Sequence, residues 1–305
     1  MTASDVFIQQ VTNGLTIGLI YALIALGYTL VYGIIQLINF AHGEVFMVGA
    51  YLCLLVVTLF TGIFSGFAGS ILFLAAVFLF AMLGTAILGL IIERFAYRPL
   101  RRAPRLAPLI TAIGVSFLLQ NAVMLIFGPT DKPFPTLIPV QQFSFGAVTL
   151  TNLQILIAAV SLSLMIGLQL FIKLTRTGKA MRALADDREA ASLVGIDTNR
   201  IIAIAFIIGS ALAGAGGVMF GMYYHTINFH DGYLAGLKAF TAAVFGGIGN
   251  IPGAMIGGLL LGILEGIGAG YLSSEWKNVF AFLILILILL FRPTGLFGSR
   301  VVKKV

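Results

Sequence analysis

Residues 150–172 read LTNLQILIAAVSLSLMIGLQLFI, and residues 200–222 read RIIAIAFIIGSALAGAGGVMFGM. Each run matches the roughly 20 apolar residues that a helix needs to cross the hydrocarbon core of a bilayer, which is about 30 Å thick. The segment between them, residues 173–199, reads KLTRTGKAMRALADDREAASLVGIDTN and is rich in charged side chains. The three stretches together predict two membrane helices that are joined by a loop lying in water.

The composition of the whole chain extends this prediction. Its 305 residues are 60% hydrophobic and only 10% charged, whereas soluble domains carry about 25% charged residues. So few charges could not coat a water-facing surface of this size. We therefore expect an all-α polytopic membrane protein in which residues 1–305 form a single transmembrane domain.

Nine apolar runs are candidates for membrane spans, and we expect eight to ten transmembrane helices in all. The last three runs are predicted from parity. If the chain is outside the membrane at residue 223 and in the cytoplasm from residue 292, it must cross the membrane an odd number of times between residues 223 and 291. Two of these three runs are short. The runs lie near residues 14–35, 43–62, 68–92, 108–128, 150–172, 200–222, 235–248, 253–272 and 276–291.

The basic side chains predict the orientation in the membrane. Fifteen of the 18 Lys and Arg residues fall within residues 94–105, 173–200 and 292–304. Basic residues accumulate in cytoplasmic loops, so these segments and the C-terminus are expected in the cytoplasm, and the Pro129–Pro139 loop outside. The net charge of +7 then reflects topology, and the expected partner is the lipid bilayer, with no nucleic acid.

Two segments interrupt the helical pattern at membrane depth. Residues 32–44 read YGIIQLINFAHGE, and residues 245–253 read FGGIGNIPG. Each has an aromatic residue before Gly, then Asn, then a Gly that opens a new apolar run, which suggests two related halves. Broken or re-entrant spans in corresponding positions predict a transport path, and two tight turns at the membrane surface are the alternative. The candidate path residues are Asn39, His42, Gly43, Glu44, Gln120, Asn121, Lys238, Gly246, Gly247 and Asn250.

Ionisable residues are few in the apolar runs, where they are costly and usually face a cavity or a partner. His42 and Glu44 have the cytoplasmic interface as an alternative position. Lys238 is expected to extend its ammonium group outward to water, and Glu265 has no evident partner. The polar pair Gln120 and Asn121 fits contacts between helices as well as contacts with a substrate.

Residues 175–197 predict a short amphipathic helix in the cytoplasm, because apolar side chains recur at helical spacing and glycines mark both ends. Such a helix can dock its apolar side in a groove on a partner. A helix lying on lipid headgroups is the alternative, but its acidic side chains would be repelled by anionic lipid. The apolar positions are Met181, Leu184, Ala191 and Val194, the acidic ones are Asp186, Asp187 and Glu189, and the glycines are Gly178 and Gly195.

Several of these stretches resemble one family. Residues 189–195, EAASLVG, resemble the Glu-Ala-Ala-x-x-x-Gly core of the coupling loop in permeases of ABC importers, and residues 38–44, INFAHGE, resemble the first signature of branched-chain amino acid permeases. The resemblance extends from about residue 10 to the end. Over this range the chain is similar to the H-type, one of the two kinds of permease subunit in the family. Further matching stretches are residues 119–121, 175–178, 236–240 and 245–250.

This resemblance implies an ATP-driven importer of leucine, isoleucine and valine in the bacterial or archaeal cytoplasmic (inner) membrane. It implies a second homologous permease subunit, two ATPase subunits, and a periplasmic or surface-tethered binding protein as partners. The loop 173–199 would couple the chain to an ATPase. Permeases of the same family for urea, short amides or sugars are the alternative. The coupling residues would be Arg182, Glu189, Ala190, Ala191 and Gly195.

The sequence shows no site for chemistry of its own. A phosphate-binding loop needs Gly-x-x-x-x-Gly-Lys-Ser/Thr, but Gly178-Lys179 is followed by Ala180. We therefore expect no enzyme activity and no bound cofactor or metal, with ATP and Mg²⁺ used by the partner ATPases. His225 and His230 are near Asp231 but lack a metal-site spacing. A proton-driven transporter that uses His42, Glu44 or Glu265 is the less favoured alternative.

Overall fold

The computed structural model describes residues 3–60, 70–101, 103–104, 106–146 and 148–298, and most of these residues are helical. Short strands and single turns of other helix types, including a π-turn at Glu93–Tyr97, connect the helices. The helices are α1 Ala3–Ile35, α2 His42–Phe60, α3 Ile71–Ile92, α4 Leu106–Phe127, α5 Asn152–Leu174, α6 Arg176–Asp186, α7 Arg188–Leu193, α8 Thr198–Tyr224, α9 Asp231–Gly246, α10 Ile251–Tyr271 and α11 Lys277–Phe291; the strands are β1 Lys132–Pro133, β2 Gln142–Phe145, β3 Val148–Thr151 and β4 Thr226–Ile227.

Within the described residues, seven helices are long and apolar enough to cross a membrane: α1 to α5, α8 and α10. This confirms the predicted all-α, polytopic class. The other two apolar helices, α9 with 16 residues and α11 with 15, reach only about 24 Å and 22 Å at 1.5 Å per residue. The expected eight to ten spans therefore depend on these two short helices.

Helix α1 occupies the centre of the molecule. The most apolar window of α1 is 89% buried, as expected for a helix that is hydrophobic on all sides. Its glycines, Gly14 and Gly18, lie directly against Gly258 and Gly262 of α10, and the order of these contacts shows that the two helices are antiparallel. Small residues allow such close approach of two backbones, which is a common basis of helix association in membranes.

The peripheral helices expose large apolar side chains. The corresponding windows of α4 and α5 are only 17% and 28% buried, and side chains such as Leu125 and Ile166 are exposed. Because water would not stabilise such a surface, lipid or another membrane subunit must cover it.

The connections gather at two opposite faces of the helix bundle. At one face, Arg101 near the end of α3 bonds Asn199 at the start of α8, and Tyr97 bonds Asn39. At the other, β1 pairs with β4, and Gln9 of α1 bonds the backbone of Thr149. The described basic residues of segments 94–105 and 173–200 therefore lie on one face, which we call the basic face, and the Pro129–Pro139 loop lies on the opposite face.

Candidate functional site

The first break begins in the connection between α1 and α2. Gln36 leaves α1 with a positive φ of 54°, which reverses the chain direction. His42, the first residue of α2, then lies against the backbone of Gly27. Gly27 is eight residues before the end of α1, so the imidazole of His42 reaches a point about 12 Å along α1 from that end. The geometry fits a chain that turns back into the bundle better than a tight turn at the surface.

Polar side chains of this break are buried within the bundle. Asn39 accepts a hydrogen bond of 2.9 Å from the hydroxyl of Tyr97. The ring of His42 packs edge-on against Tyr28, with the ring centroids 4.8 Å apart, and its Nε2 has no partner among the described residues. The imidazole of His42 is therefore enclosed by α1 within the protein.

The beginnings of α2 and α9 meet in backbone contact. A side chain at Gly43 would strike the carbonyl oxygen of Gly232 and the Cα of Gly236. Gly232 and Gly236 are four residues apart, so they lie on one side of α9 and form a flat surface for α2. We call this contact of Gly43 and Glu44 with Gly232 and Gly236 the α2–α9 junction.

Glu44 is the ionisable residue of this junction. Its side chain is buried, with 1% of the residue exposed. One carboxylate oxygen, Oε1, accepts a hydrogen bond of 3.1 Å from Ser116 of α4. The other oxygen, Oε2, faces Gly232 and has no hydrogen-bond partner in the described structure.

The polar pair on α4 divides between two environments. Gln120 lies 2.8 Å from Nδ1 of His230, which precedes α9, so it links α4 to the junction. Asn121 donates to the carbonyl of Phe117, one turn earlier in its own helix, and is exposed. Only Gln120 therefore makes the predicted contact between helices.

The second break is a short turn at the basic face. Gly247 has a φ of 107°, a conformation that favours glycine. The segment after α11 covers this turn: Phe297 donates its N–H to the carbonyl of Gly246, and Asn250 donates its side-chain amide to the carbonyl of Phe297. Gly249 is exposed and faces Gly33 near the end of α1. The turn thus resembles the surface alternative more than a segment buried in the bundle.

Lys238 forms a buried ion pair with Glu265, and this corrects the expectation that Lys238 reaches outward. Its Nζ lies 2.8 Å from Oε1 of Glu265 on α10 and 3.3 Å from the hydroxyl of Tyr21 on α1. Both charged residues are buried. The pair therefore joins three helices, and it supplies the partner that the sequence did not reveal for Glu265.

The candidate path residues consequently do not form one cluster. The first break and the junction hold Asn39, His42, Gly43 and Glu44. Gln120 reaches this region from α4, while Lys238 belongs to the ion pair. Gly246, Gly247 and Asn250 lie beneath the C-terminal segment, and Asn121 faces away. Within the described residues, no group of three His, Cys, Asp or Glu side chains could hold a metal ion.

The predicted cytoplasmic helix is two helices, so the expectation of one continuous helix is wrong. Asp187 is extended between α6 and α7, and its carboxylate accepts hydrogen bonds from the N–H groups of Glu189 and Ala190. This is an N-cap, which stabilises the start of a new helix at that point. Gly195 then ends the segment with a φ of 87°, the positive value expected of a glycine stop.

The apolar positions predicted for docking are mostly used within the chain. Met181, Leu184 and Ala191 are buried, and the guanidinium of Arg182 donates to the carbonyl of Ile172 at the end of α5. Of the four predicted positions, Val194 is the exception and remains exposed. Leu193 and Val194, 87% and 77% exposed, form an apolar tip just before Gly195.

A groove on the basic face adjoins this tip. It has a volume of roughly 540 Å³ and lies between the turn after α3 and the segment from α7 to α8. Several arginines and one acidic residue line it, so the groove is predominantly positive. The lining residues are Arg98, Pro99, Arg101, Arg188, Glu189, Ser192, Thr198 and Asn199.

Several residues of the site were not predicted from the sequence. Ser116, Tyr97 and Tyr21 are isolated polar groups in apolar runs, and no local pattern marks them. Gly232 and Gly236 could have been found, because two small residues four apart in an apolar helix are a signal for close helix packing.

Comparison with known proteins assigns the chain to a family. At the level of structure it resembles PsaBC from Streptococcus pneumoniae, solved in complex with a Fab, with a TM-score of 0.45 and 12% identity over 95% of this chain and 92% of that chain.

Sequence similarity is much stronger. The family model described as "Branched-chain amino acid transport system / permease component" matches residues 10–289. The high-affinity branched-chain amino acid transport system permease proteins BraD of Pseudomonas aeruginosa and LivH of Escherichia coli K12 are 52% and 49% identical, each over 98% of both chains. The probable branched-chain amino acid transport permease protein LivH of Methanocaldococcus jannaschii is 30% identical over 90% of this chain and 88% of its own. The chain therefore belongs to the family of permease components of branched-chain amino acid transport systems.

Proposed function

We propose that this chain is a transmembrane permease subunit of an ATP-driven importer, and that it carries leucine, isoleucine and valine across the membrane. The similarity to BraD, 52% identity over 98% of both chains, is the observation that carries this proposal. A binding protein would deliver the amino acid, and a second permease subunit would complete the path. Energy would come from two ATPase subunits that use ATP and Mg²⁺.

The basic face supports one orientation of the chain in the membrane. Arg98, Arg101 and Arg188 lie on it, as do α6 and α7. Basic residues are retained on the cytoplasmic side, so we place this face in the cytoplasm and the Pro129–Pro139 loop outside. In a bacterial cell the membrane would be the inner membrane, where the ATPases are on the same side as α6 and α7.

Leucine uptake is expected to need ATP and to tolerate loss of the proton gradient. The experiment is uptake of radiolabelled leucine into vesicles that contain the reconstituted complex, with ATP inside and a proton ionophore added. Omission of ATP is the control and is expected to abolish uptake. Uptake that collapses with the ionophore while ATP remains would instead support a proton-driven transporter.

The coupling contact is proposed to lie at the apolar tip and the adjoining groove. Exposed apolar side chains on a charged, water-facing surface are typical of a docking site, and Leu193 and Val194 are directly joined to α8 through Gly195. Glu189 and Ala190 are exposed beside them. A displacement of the tip by an ATPase would therefore act on α8, while α6 transmits it to α5 through the bond from Arg182 to Ile172.

Leu193→Asp is expected to reduce stimulation of the ATPases by the loaded binding protein about tenfold or more, because it places a charge in an apolar contact worth at least about 1.4 kcal/mol. The measurements are stimulated ATPase activity and co-purification of the ATPases. Val140→Asp, also an exposed apolar position but on the opposite face, is the control for co-purification. Full stimulation and full association of Leu193→Asp would exclude the tip as the contact.

A further inference from the structure

One carboxylate oxygen at the α2–α9 junction has no hydrogen-bond partner among the described residues. Oε1 of Glu44 accepts a hydrogen bond from Ser116, but Oε2 accepts none from the described residues. Glu265, the other buried acid of the helix bundle interior, is neutralised by Lys238. Across the described ranges, no cationic side chain lies within ion-pair distance of Glu44. Glu44 therefore differs from a structural ion pair.

An uncompensated carboxylate is costly among membrane helices, and such residues are usually retained because they meet a partner or a substrate. The bond from Ser116 holds the carboxylate in one orientation. The free oxygen is then directed toward Gly232, the second residue of α9, where a side chain would collide with it. In this structure Oε2 is buried against the backbone of Gly232, so a ligand would reach it once α4 or α9 moves.

The surroundings of this oxygen suit an ammonium group. The first turns of α2 and α9 meet here, and each has an acid beside its partially positive N-terminus, Glu44 in α2 and Asp231 in α9. Asp231 accepts a hydrogen bond from the N–H of Asn228, whereas Oε2 of Glu44 has no partner among the described residues. The group that this oxygen would complement in the proposed importer is the ammonium group of the amino acid.

Helix α4 forms the outer side of this region. It packs chiefly against α2 and the turn after α3, and little of it is buried. Ser116 and Gln120 are half-buried, and His230 beside Gln120 is exposed. Polar groups among membrane helices are poorly placed against lipid, which indicates that this side of α4 faces the path or the second permease.

We infer that Oε2 of Glu44 accepts a hydrogen bond from the ammonium group of the amino acid as it passes between α4 and α9. This inference rests on the proposed function, since it assigns a contact within the path of that importer. The contact is transient and lowers the cost of moving a charged ammonium group across the bilayer. Selection among side chains is left to other parts of the system.

Glu44→Gln tests the charge, because glutamine keeps the shape and can still accept the bond from Ser116. In vesicles containing the whole complex, we expect about tenfold fewer leucine molecules moved per ATP hydrolysed. A tenfold change is the effect expected from the loss of one hydrogen bond to a charged group. Stimulation of the ATPases is expected to persist. Glu44→Asp, which retains the charge, is expected to recover most of the ratio. Glu275→Gln, at an exposed acid between α10 and α11, is the control.

The outcomes separate this inference from the proposed function. Equal leucine-to-ATP ratios for the wild-type complex and Glu44→Gln would overturn the inference and leave the function intact. A wild-type complex that hydrolyses ATP but moves no leucine would overturn both. An equal loss in Glu44→Gln and Glu44→Asp would show a requirement for shape, and would also overturn the inference.

A second measurement applies if Glu44→Gln does not assemble. A cysteine is placed by Gln120→Cys in a Cys53→Ala background, and its reaction rates with cationic and anionic thiol reagents of equal size are compared in the complex. With Glu44 present, the cationic reagent is expected to react about tenfold faster, which is the size of a local attraction of about 1.4 kcal/mol. Equal rates would show that no negative charge acts on the thiol at position 120 and would overturn the inference.

Discussion

Lys238→Met is expected to destabilise the folded chain by about 3–5 kcal/mol, because it leaves Glu265 buried without its counter-charge. Lys238 donates to both Glu265 and the hydroxyl of Tyr21, so the substitution removes contacts among three helices at once. The measurement is the thermal unfolding midpoint of the purified protein in detergent.

The double variant Lys238→Met with Glu265→Gln separates the charge from the packing. Replacing both members of a buried ion pair by neutral groups is often nearly neutral for stability, so most of the lost stability should return. Lys179→Met, at an exposed lysine of α6, is the control and should unfold like the wild type. A single variant that unfolds at the wild-type midpoint would show that the pair contributes nothing.

Gly262→Leu is expected to prevent folding. A Cβ at this position would overlap the backbone of Gly18 and the carbonyl oxygen of Gly14 on α1. Overpacking against side chains typically costs about 1–3 kcal/mol, and here the neighbours are backbone atoms that cannot rotate away. Helices α1 and α10 would have to separate along the centre of the molecule.

Gly167→Leu is the matched control for this substitution. Gly167 is also within a membrane helix, α5, but nothing lies within 4 Å of a Cβ built there. The two variants are compared by size-exclusion chromatography of a fluorescent fusion in detergent. We expect a monodisperse peak for Gly167→Leu and aggregate or no protein for Gly262→Leu. Equal peaks would refute the close contact of α1 and α10.

The membrane class and the family could be predicted from the sequence, because both depend on local information. An apolar run of about 20 residues has few alternatives to a membrane helix, and the runs at 150–172 and 200–222 became α5 and α8. Short stretches such as residues 38–44 and 189–195 together indicated the family, and the match over residues 10–289 confirms it.

Local sequence patterns predicted the structure less well where the same residues fit two different arrangements. The spacing of Met181, Leu184, Ala191 and Val194 predicted an apolar side; the first three are buried, and Val194 is exposed. Other parts of the same chain cover the buried three. The periodicity of a sequence shows that one side of a helix is apolar, but it does not show whether that side packs on the same chain or on a partner. The break at Asp187 was missed because its carboxylate can cap a new helix as readily as it can lie on the surface of a continuous one.

Tertiary structure alone decided how the ionisable and polar residues are paired. The sequence identified Lys238 and Glu265 as unusual, but they are 27 positions apart, and the bond from Ser116 to Glu44 spans 72 positions. Such contacts depend on which helices are neighbours and how far each is rotated about its axis. Hydrophobicity determines that a segment enters the membrane, and it is nearly equal on every side of α1. The packing of glycines between α1 and α10, and between α2 and α9, sets these neighbours. It therefore determines that Lys238 and Glu265 neutralise each other, while Oε2 of Glu44 lacks a partner among the described residues.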